Sequence, residues 1–396
     1  MRAALFLIAF TLAKAEQLPP WTEGMLDIHH ISTGRGNSTL FVLPDGTTML
    51  VDAGAAGDGI PETDPHPDGT RTPGAWIARY LKRHQVTALD YAVITHFHPD
   101  HMGAYSKSAP PAANETYRLT GITEVGTEIP IRVLLDRASP EYFYPVPLND
   151  DMMTNYARFI AAQRHMKATR FRPGSSQQIV LNKGTAKYPQ FEIRNIVANG
   201  EVWTGSGDST RYLFPPTTNL RNEDYPTENM CSLGFRLQYG AFRYFTGGDL
   251  PGTADPGFPA WHALEAAIAQ AIGKVDVHVV NQHGSMGEES DEFLKVLQSS
   301  VLIVPSWAPS HPAPDVLKRI MNSRYPPSSR LVYVTDLRPS AKTVIGQRAK
   351  QLAGPPGHIV VRVEPGGARY RVYVLDHSDE RDSVLAVSPR LFSESR

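Results

Sequence analysis

Four side chains able to bind a metal ion fall within six residues: His96, His98, Asp100 and His101, in Thr95-His96-Phe97-His98-Pro99-Asp100-His101. Imidazole nitrogens and a carboxylate oxygen in this pattern suit zinc, manganese or iron(II). The cluster follows an apolar run, Leu89-Asp90-Tyr91-Ala92-Val93-Ile94, that reads as a buried strand. A tight loop leaving such a strand can aim His96 and His98 at one ion and Asp100 and His101 at a neighbour. Pro99 stiffens the turn, and Gly103 permits close backbone approach. Two further candidates stand beyond other apolar runs: Asp249 after Phe245-Thr246-Gly247-Gly248, and His283 after Val279-Val280-Asn281-Gln282. The chain has a single cysteine, Cys231, so Cys-rich zinc folds and internal disulfides are excluded, and its 14 histidines are the place to look for metal chemistry. Neither a Gly-x-Ser-x-Gly nucleophile elbow nor a Walker phosphate loop competes.

The elements that must position these residues are legible at both ends of the chain. Leu26–His30, Thr39–Leu43 and Thr48–Asp52 read as a three-stranded meander, with Pro44-Asp45-Gly46 as a hairpin turn. Residues 75–85 have helical spacing at Trp76, Ile77, Tyr80 and Leu81. Strands are expected at 131–135, near 178–181 and at 190–197, a helix at 151–166, and a polar loop over 204–228. Residues 231–237 and 241–246 read as a hairpin. Helices at 261–272, 289–298 and 314–322 then alternate with strands at 275–280, 301–304 and 331–334, and 358–375 forms a last hairpin. Meanders at both ends with alternating helices and strands between them predict a layered α/β sandwich whose candidate ligands all lie past C-terminal strand ends.

Composition bounds the alternatives. In 396 residues, 39 Lys+Arg face 40 Asp+Glu, a net charge of −1, and 41% of residues are hydrophobic. A disordered chain and a strongly basic nucleic-acid coat are excluded. The 31 glycines and 33 prolines show no period, which excludes collagen and points to many turns. Residues 1–15 (Met1-Arg2, an apolar run from Ala3, then Ala13-Lys14-Ala15) read as a signal peptide, predicting a secreted or periplasmic protein. Its removal takes Arg2 and Lys14, leaving 37 basic against 40 acidic residues, a charge of −3, with no further run long enough to span a membrane.

The motif His96-x-His98-x-Asp100-His101 after a hydrophobic strand resembles the signature of the metallo-β-lactamase superfamily. Asp52, in Leu50-Val51-Asp52-Ala53-Gly54, resembles the family's aspartate that buttresses the metal loop. Asp249 resembles its bridging carboxylate and His283 its final histidine ligand. The resemblance implies a four-layer αβ/βα sandwich over residues 25–380, with an insertion around 104–225 and a tail at 381–396. It also implies two divalent ions (zinc, manganese or iron) held by His96, His98, Asp100, His101, Asp249 and His283. The implied chemistry is hydrolysis by hydroxide bridging two cations, with Asp249 holding both and Asp100 orienting the nucleophile. Thr33–Ser38, Asn229-Met230-Cys231-Ser232-Leu233, His283-Gly284-Ser285 and Ser310-His311-Pro312-Ala313-Pro314-Asp315 are most similar to the hydrolase domain of the ComEC family of DNA-uptake channels. Two departures are Gln282, where that domain has histidine, and the absence of the channel's membrane segments.

The superfamily's third motif, usually a histidine, has no match: His165 is the one histidine between Met102 and Gly248, and it reads as a surface or helix-packing residue. Asn229 is the better candidate for the slot because an amide oxygen can face a metal; Ser232 or water are alternatives. Cys231 reads as inward packing. His311, at a helix start, is a candidate contact for substrate phosphate or leaving group. His30 reads as buried packing, His29 as solvent-facing, His66 as an inert loop residue, and His262 and His278 as structural. Arg35 reads as a solvated loop arginine that could pair with an anionic substrate, and Tyr212, Phe214 and Tyr225 as candidate pocket walls.

Three functions compete on this reading. The first is hydrolysis of phosphodiesters, of small-molecule, nucleotide or nucleic-acid type, for which the charge of −3 is a poor match if the substrate is long nucleic acid. The second is hydrolysis of a small lactone, thioester or β-lactam. The third is a non-catalytic binding relative, disfavoured by the intact ligand set. No obligate protein partner is implied.

Overall fold

The computed structural model describes residues 16–322 and 324–393. The expected signal peptide lies outside the described residues. The chain forms two facing sheets with helices on both outer faces, the four-layer αβ/βα sandwich.

The first sheet is built from β1 (Leu26–His30), β2 (Thr39–Val42), β3 (Thr48–Val51), β4 (Leu89–Val93), β5 (Ile131–Asp136) and β6 (Lys167–Arg170). The second holds β7 (Phe191–Ala198), β8 (Glu201–Trp203), β9 (Thr210–Tyr212), β10 (Gly234–Tyr239), β11 (Phe242–Thr246), β12 (Val277–Val279), β13 (Val301–Val304) and β14 (Leu331–Val334). The chain then returns to the first sheet with β15 (His358–Val363), β16 (Arg369–Leu375), β17 (Val384–Val387) and β18 (Leu391–Phe392). The strand orders are β17-β16-β15-β1-β2-β3-β4-β5-β6, with β18 also on β16, and β14-β13-β12-β11-β10-β7-β8-β9.

Period-two alternation decides which side chain enters which layer. Leu26, Ile28, Phe41, Met49, Val93 and Leu135 of the first sheet meet Phe235, Leu237, Tyr244, Val277 and Ile303 of the second in the central core. Leu40, Leu50, Ala92 and Leu134 point the other way. They pack under α1 (Pro73–Arg83), α3 (Gly121–Glu128) and α4 (Asp151–Ala162), while α2 (Pro99–Met102) belongs to the metal loop. On the far face, α5 (Glu265–Ile272) and α6 (Asp291–Leu297) cover Phe245. α7 (Pro314–Met321) and α8 (Pro339–Ile345) cover Leu302 and Val332. Among the described residues no helix is long and apolar enough to cross a membrane.

Several expectations are corrected. Residues 104–225, expected as an insertion, supply α3, β5, α4 and β6 to one half of the sandwich and β7 to β9 to the other. Within the expected C-terminal tail, β17 and β18 both pair with β16. The helix expected over 151–166 stops at Ala162, because Lys167–Arg170 leaves it to pair with β5; His165 is exposed in the turn between them. No strand forms at 178–181. Ile179 and Leu181 are buried in the core, but the backbone bonds to side chains instead, Val180 N–H to the Tyr91 hydroxyl (3.3 Å) and Asn182 N–H to Thr47 Oγ1 (2.8 Å). The 204–228 loop contains β9, paired with β8, and two short 3-10 turns. Asn229–Cys231 is also a 3-10 turn, so β10 starts only at Gly234, and Ala260–His262 is a 3-10 turn ahead of α5.

Candidate metal centre

The candidate ligands stand at one edge of the sandwich, where β3, β4, β11 and β12 end. The loop after β4 is held there by backbone. Asn37 N–H donates to Asp100 O (2.8 Å), Ala53 N–H to His101 O (2.8 Å) and Ala55 N–H to Pro99 O (3.1 Å). This close approach demands glycine at two places. A Cβ on Gly36, whose φ is +146°, would stand 2.3 Å from Asp100 O, and one on Gly54 1.9 Å from the same atom. The glycine turn after β1 therefore exists to seat the ligand loop.

The candidate side chains converge. His96, His98 and Asp249 form one group of candidate ligand atoms, and Asp100, His101, Asp249 and His283 a second; within each group the atoms lie within 4.8 Å of one another. His96 Nε2 is 3.0 Å from His98 Nδ1 and 3.8 Å from Asp249 Oδ2. His101 Nε2 lies 3.1 Å from Asp249 Oδ1 and 3.4 Å from His283 Nε2. His283 Nε2 is 2.8 Å from Asp100 Oδ2 and 3.5 Å from Asp249 Oδ2. Asp249 alone belongs to both groups, the position of a bridging carboxylate.

The surrounding contacts aim these ligands. Asp52 accepts from Thr95 N–H (2.8 Å), Thr95 Oγ1 (2.8 Å) and His101 Nδ1 (2.8 Å), which turns His101 Nε2 towards the centre. His283 Nδ1 is 3.1 Å from the Pro305 carbonyl, which aims its Nε2 the same way. Asp52, Gln282 and His283 sit at φ of +60°, +45° and +56°, backbone strain gathered at the ligand-bearing turns. Ser232 Oγ accepts from Asp249 N–H (3.2 Å), so Ser232 positions Asp249 from behind.

Electrostatics matches a cation site. Burial works against the charged form of His101 and His283, yet the neighbouring carboxylates outweigh it. Asp249, Asp52 and Asp100 hold His101 well above the ordinary imidazole range, and Asp249 and Asp100 push His283 up to about 9. Burial also opposes ionisation of Asp100 and Asp249, but His101 and His283 hold both below the usual carboxylate range. Buried nitrogen and oxygen donors of opposite charge preference thus face one another where a divalent ion would fit. Burial, opposed by His101 and the Thr95 donors, lifts the Asp52 carboxyl above its ordinary value.

The remaining candidates divide. Asn229 Oδ1 is buried and lacks a hydrogen-bond partner among the described residues. His311 is buried against the centre, its ring stacked on His283 at 4.8 Å and 15°, with Trp307 edge-on at 5.5 Å. Burial and the neighbouring His283 push its pKa down to about 3, so the ring is neutral. Cys231 is buried, its thiol pushed up to about 12 by burial. His30 is buried packing, beside Thr39 and Tyr244. His278 is bonded to Ser299 and Glu289.

Three readings are corrected here. His29 is not solvent-facing: it is buried and 2.9 Å from the Tyr80 hydroxyl, because helix α1 covers that face of the sheet. Arg35 is held by Asp58 and the Thr63 carbonyl. His66 is bound at 2.9 Å to Asp336.

One feature of the site escaped the sequence. The fully buried Arg137, just after β5, pairs with Glu228; its Nε is 2.7 Å from Glu228 Oε1, the oxygen that also accepts from Phe97 N–H (2.8 Å). Phe97 lies between His96 and His98, so this ion pair braces the ligand loop from the side of Asn229. The one signal available was an arginine directly after a buried strand.

Residues 31–111 match the metallo-beta-lactamase superfamily. The match contains the ligand loop and Asp52, and superfamily members are typically metal-dependent hydrolases. No curated protein matches the chain. Among solved structures, the chain is similar to a mutant of the CmlA beta-hydroxylase at 13% identity and a TM-score of 0.41, covering 81% of this chain. It spans about half, 54%, of that protein's length. It is also similar to unliganded yeast PDE1 (13% identity, TM-score 0.34, covering 83% of this chain and 94% of that one). A protein of unknown function from Enterococcus faecalis V583 follows (13%, 0.28, covering 64% and 49%).

Proposed function

We propose that the protein is an exported hydrolase of phosphodiester bonds that works with two divalent ions, zinc, manganese or iron. The observation that carries this reading is the pair of ligand groups joined by Asp249. On it, His96, His98 and Asp249 hold one ion and Asp100, His101, Asp249 and His283 the other. Asn229 completes the first group, since its Oδ1 is otherwise a buried acceptor without a donor. Ions held there would lower the pKa of a bound water and offset negative charge on the reacting oxygens.

The chain's own residues supply orientation. Asp52 and the Pro305 carbonyl keep His101 and His283 in the tautomers that present Nε2, and Ser232 holds Asp249 by its backbone. His311, neutral and stacked on His283, is placed to donate a hydrogen bond to a substrate oxygen. Phosphodiesters are favoured because joined two-ion sites clamp both the attacking and the leaving oxygen of a phosphoryl centre, and because the ComEC-like stretches carry Asn229, Ser232, His283 and His311. Export rests on residues 1–15. A small lactone, thioester or β-lactam is the second reading, favoured by the near-neutral charge.

A panel of bis-p-nitrophenyl phosphate, single-stranded DNA, a lactone and a chromogenic cephalosporin tests the proposal. Turnover of the phosphodiester, abolished by Asp249→Ala and by His98→Ala, is expected. Turnover of the lactone or cephalosporin alone selects the second reading, and full turnover in both variants refutes the site.

A further inference from the structure

A cavity of about 570 Å³ opens beside the ligand loop, at the same edge of the sandwich. Arg137 follows β5, Phe171 follows β6, Asn199 follows β7 and Tyr212 closes β9, and all line it. It is tied to the metal centre by one carboxylate: Glu228 Oε1 accepts both from Arg137, in the cavity wall, and from Phe97 N–H between His96 and His98. No candidate ligand lines the cavity itself; Arg137 and Glu228 stand between its wall and the ligand loop.

Aromatic side chains form part of its wall. Tyr144, Tyr212 and Phe214 line it together with Pro215 and Pro216. Tyr212 is 73% exposed on a three-residue strand, and the neighbouring Phe143, 69% exposed, adds a second uncovered ring. Large aromatic side chains left in water next to a concave site mark a place where a ligand covers them. The charges are equally selective. Arg137 is neutralised by Glu228, whereas the Arg170 side chain is half exposed, with one N–H on the Ala138 carbonyl and the exposed Glu141 3.7 Å away. A guanidinium beside aromatic side chains suits a flat aromatic group better than an alkyl chain, because it stacks on the ring face and donates to ring substituents.

We propose that this cavity receives the non-reacting aromatic arm of the ester cleaved at the metal centre. The proposal rests on the hydrolase reading and adds the substrate class: esters of which one arm carries a planar ring. The recognition surface comes from residues 138–218, the stretch that also joins the two sheets.

The test uses the zinc-loaded full chain and three probes of increasing reach, methylphosphonate, phenylphosphonate and 4-biphenylylphosphonate, as inhibitors of bis-p-nitrophenyl phosphate turnover and as ligands in calorimetry. Stacking on the exposed Tyr212 ring, against the buried Phe214 behind it, predicts that the biphenylyl compound binds at least about tenfold more tightly than the methyl compound. Tyr212→Ala and Phe214→Ala should each shrink that ratio to below about threefold. Tyr212 is exposed, so its variant reports even where loss of Phe214 disturbs packing. Equal affinities for the three probes, or a ratio that survives both substitutions, overturns the aromatic subsite while leaving the hydrolase reading intact. Absence of phosphodiester turnover together with absence of binding by methylphosphonate overturns the hydrolase reading itself.

Discussion

Replacing Asp52 by asparagine isolates the contribution of one hydrogen bond to metal binding. The backbone there sits at φ +60°, a conformation asparagine tolerates as well as aspartate, and the side chain keeps its volume. The amide oxygen can still accept from Thr95 N–H, and Thr95 Oγ1 can turn from donor to acceptor. His101 has no such freedom. With an N–H of the new amide facing its Nδ1, now 2.8 Å from a carboxylate oxygen, Nδ1 must accept, which moves the ring proton to Nε2. That atom is the ligand donor, 3.1 Å from Asp249 Oδ1 and 3.4 Å from His283 Nε2. Metal affinity should fall by about 10- to 100-fold, the usual effect of removing such a supporting contact. That range is about 1.4–2.8 kcal/mol, comparable with the roughly 1.5–3 kcal/mol of a charge-assisted hydrogen bond. Competition against a chromogenic zinc chelator measures the affinity, and circular dichroism checks that the fold survives. Unchanged zinc affinity in a folded Asp52→Asn protein would refute the reasoning, because it would mean that Asp52 does not set the tautomer of His101.

Three further outcomes follow from the same contacts. Gly54→Ala should remove zinc binding in a folded protein, since its Cβ would stand 1.9 Å from Asp100 O; metal content after dialysis checks this, and full occupancy contradicts it. Arg137→Met leaves Glu228 half-buried without its cation and should cost about 3–5 kcal/mol in urea denaturation, a loss below about 1 kcal/mol being the contrary result. Burial, with nearby carboxylates, pushes Glu265 up to about 7 and Glu288 up to about 10, from an ordinary 4.5. The folded state therefore holds protons that the unfolded chain releases. Stability should fall as pH rises from 4.5 through each of these values, by at most about 1.4 kcal/mol per pH unit per group. Glu288→Gln should flatten the melting-temperature profile between about pH 6 and pH 9, and an unchanged profile contradicts the assignment.

The ligand loop was readable because His96, His98, Asp100 and His101 are contiguous and follow an unmistakable apolar strand. The positions of Asp249 and His283 were legible for a related reason: each follows a largely buried strand, β11 in an antiparallel hairpin with β10 and β12 in the parallel part of the sheet. The Arg137–Glu228 pair was not, because its members are 91 residues apart and neither belongs to a motif. His29 was misread because alternation separates the two faces of a strand without saying that a helix covers the second one. Ile179 and Leu181 carried a strand's hydrophobicity, but their backbone partners are side chains on other elements. The 104–225 stretch was legible at β5, α4 and β7 but not at β6, β8 and β9, which are three or four residues long, lie at or next to a sheet edge, and are strands only through their neighbours.

The account stands on a two-ion centre joined by Asp249, and metal stoichiometry tests it most directly. Elemental analysis of the full chain after zinc loading and exhaustive dialysis should find close to two equivalents of zinc, with Asp249→Ala retaining far less. A folded wild-type protein that binds neither zinc nor manganese would contradict it.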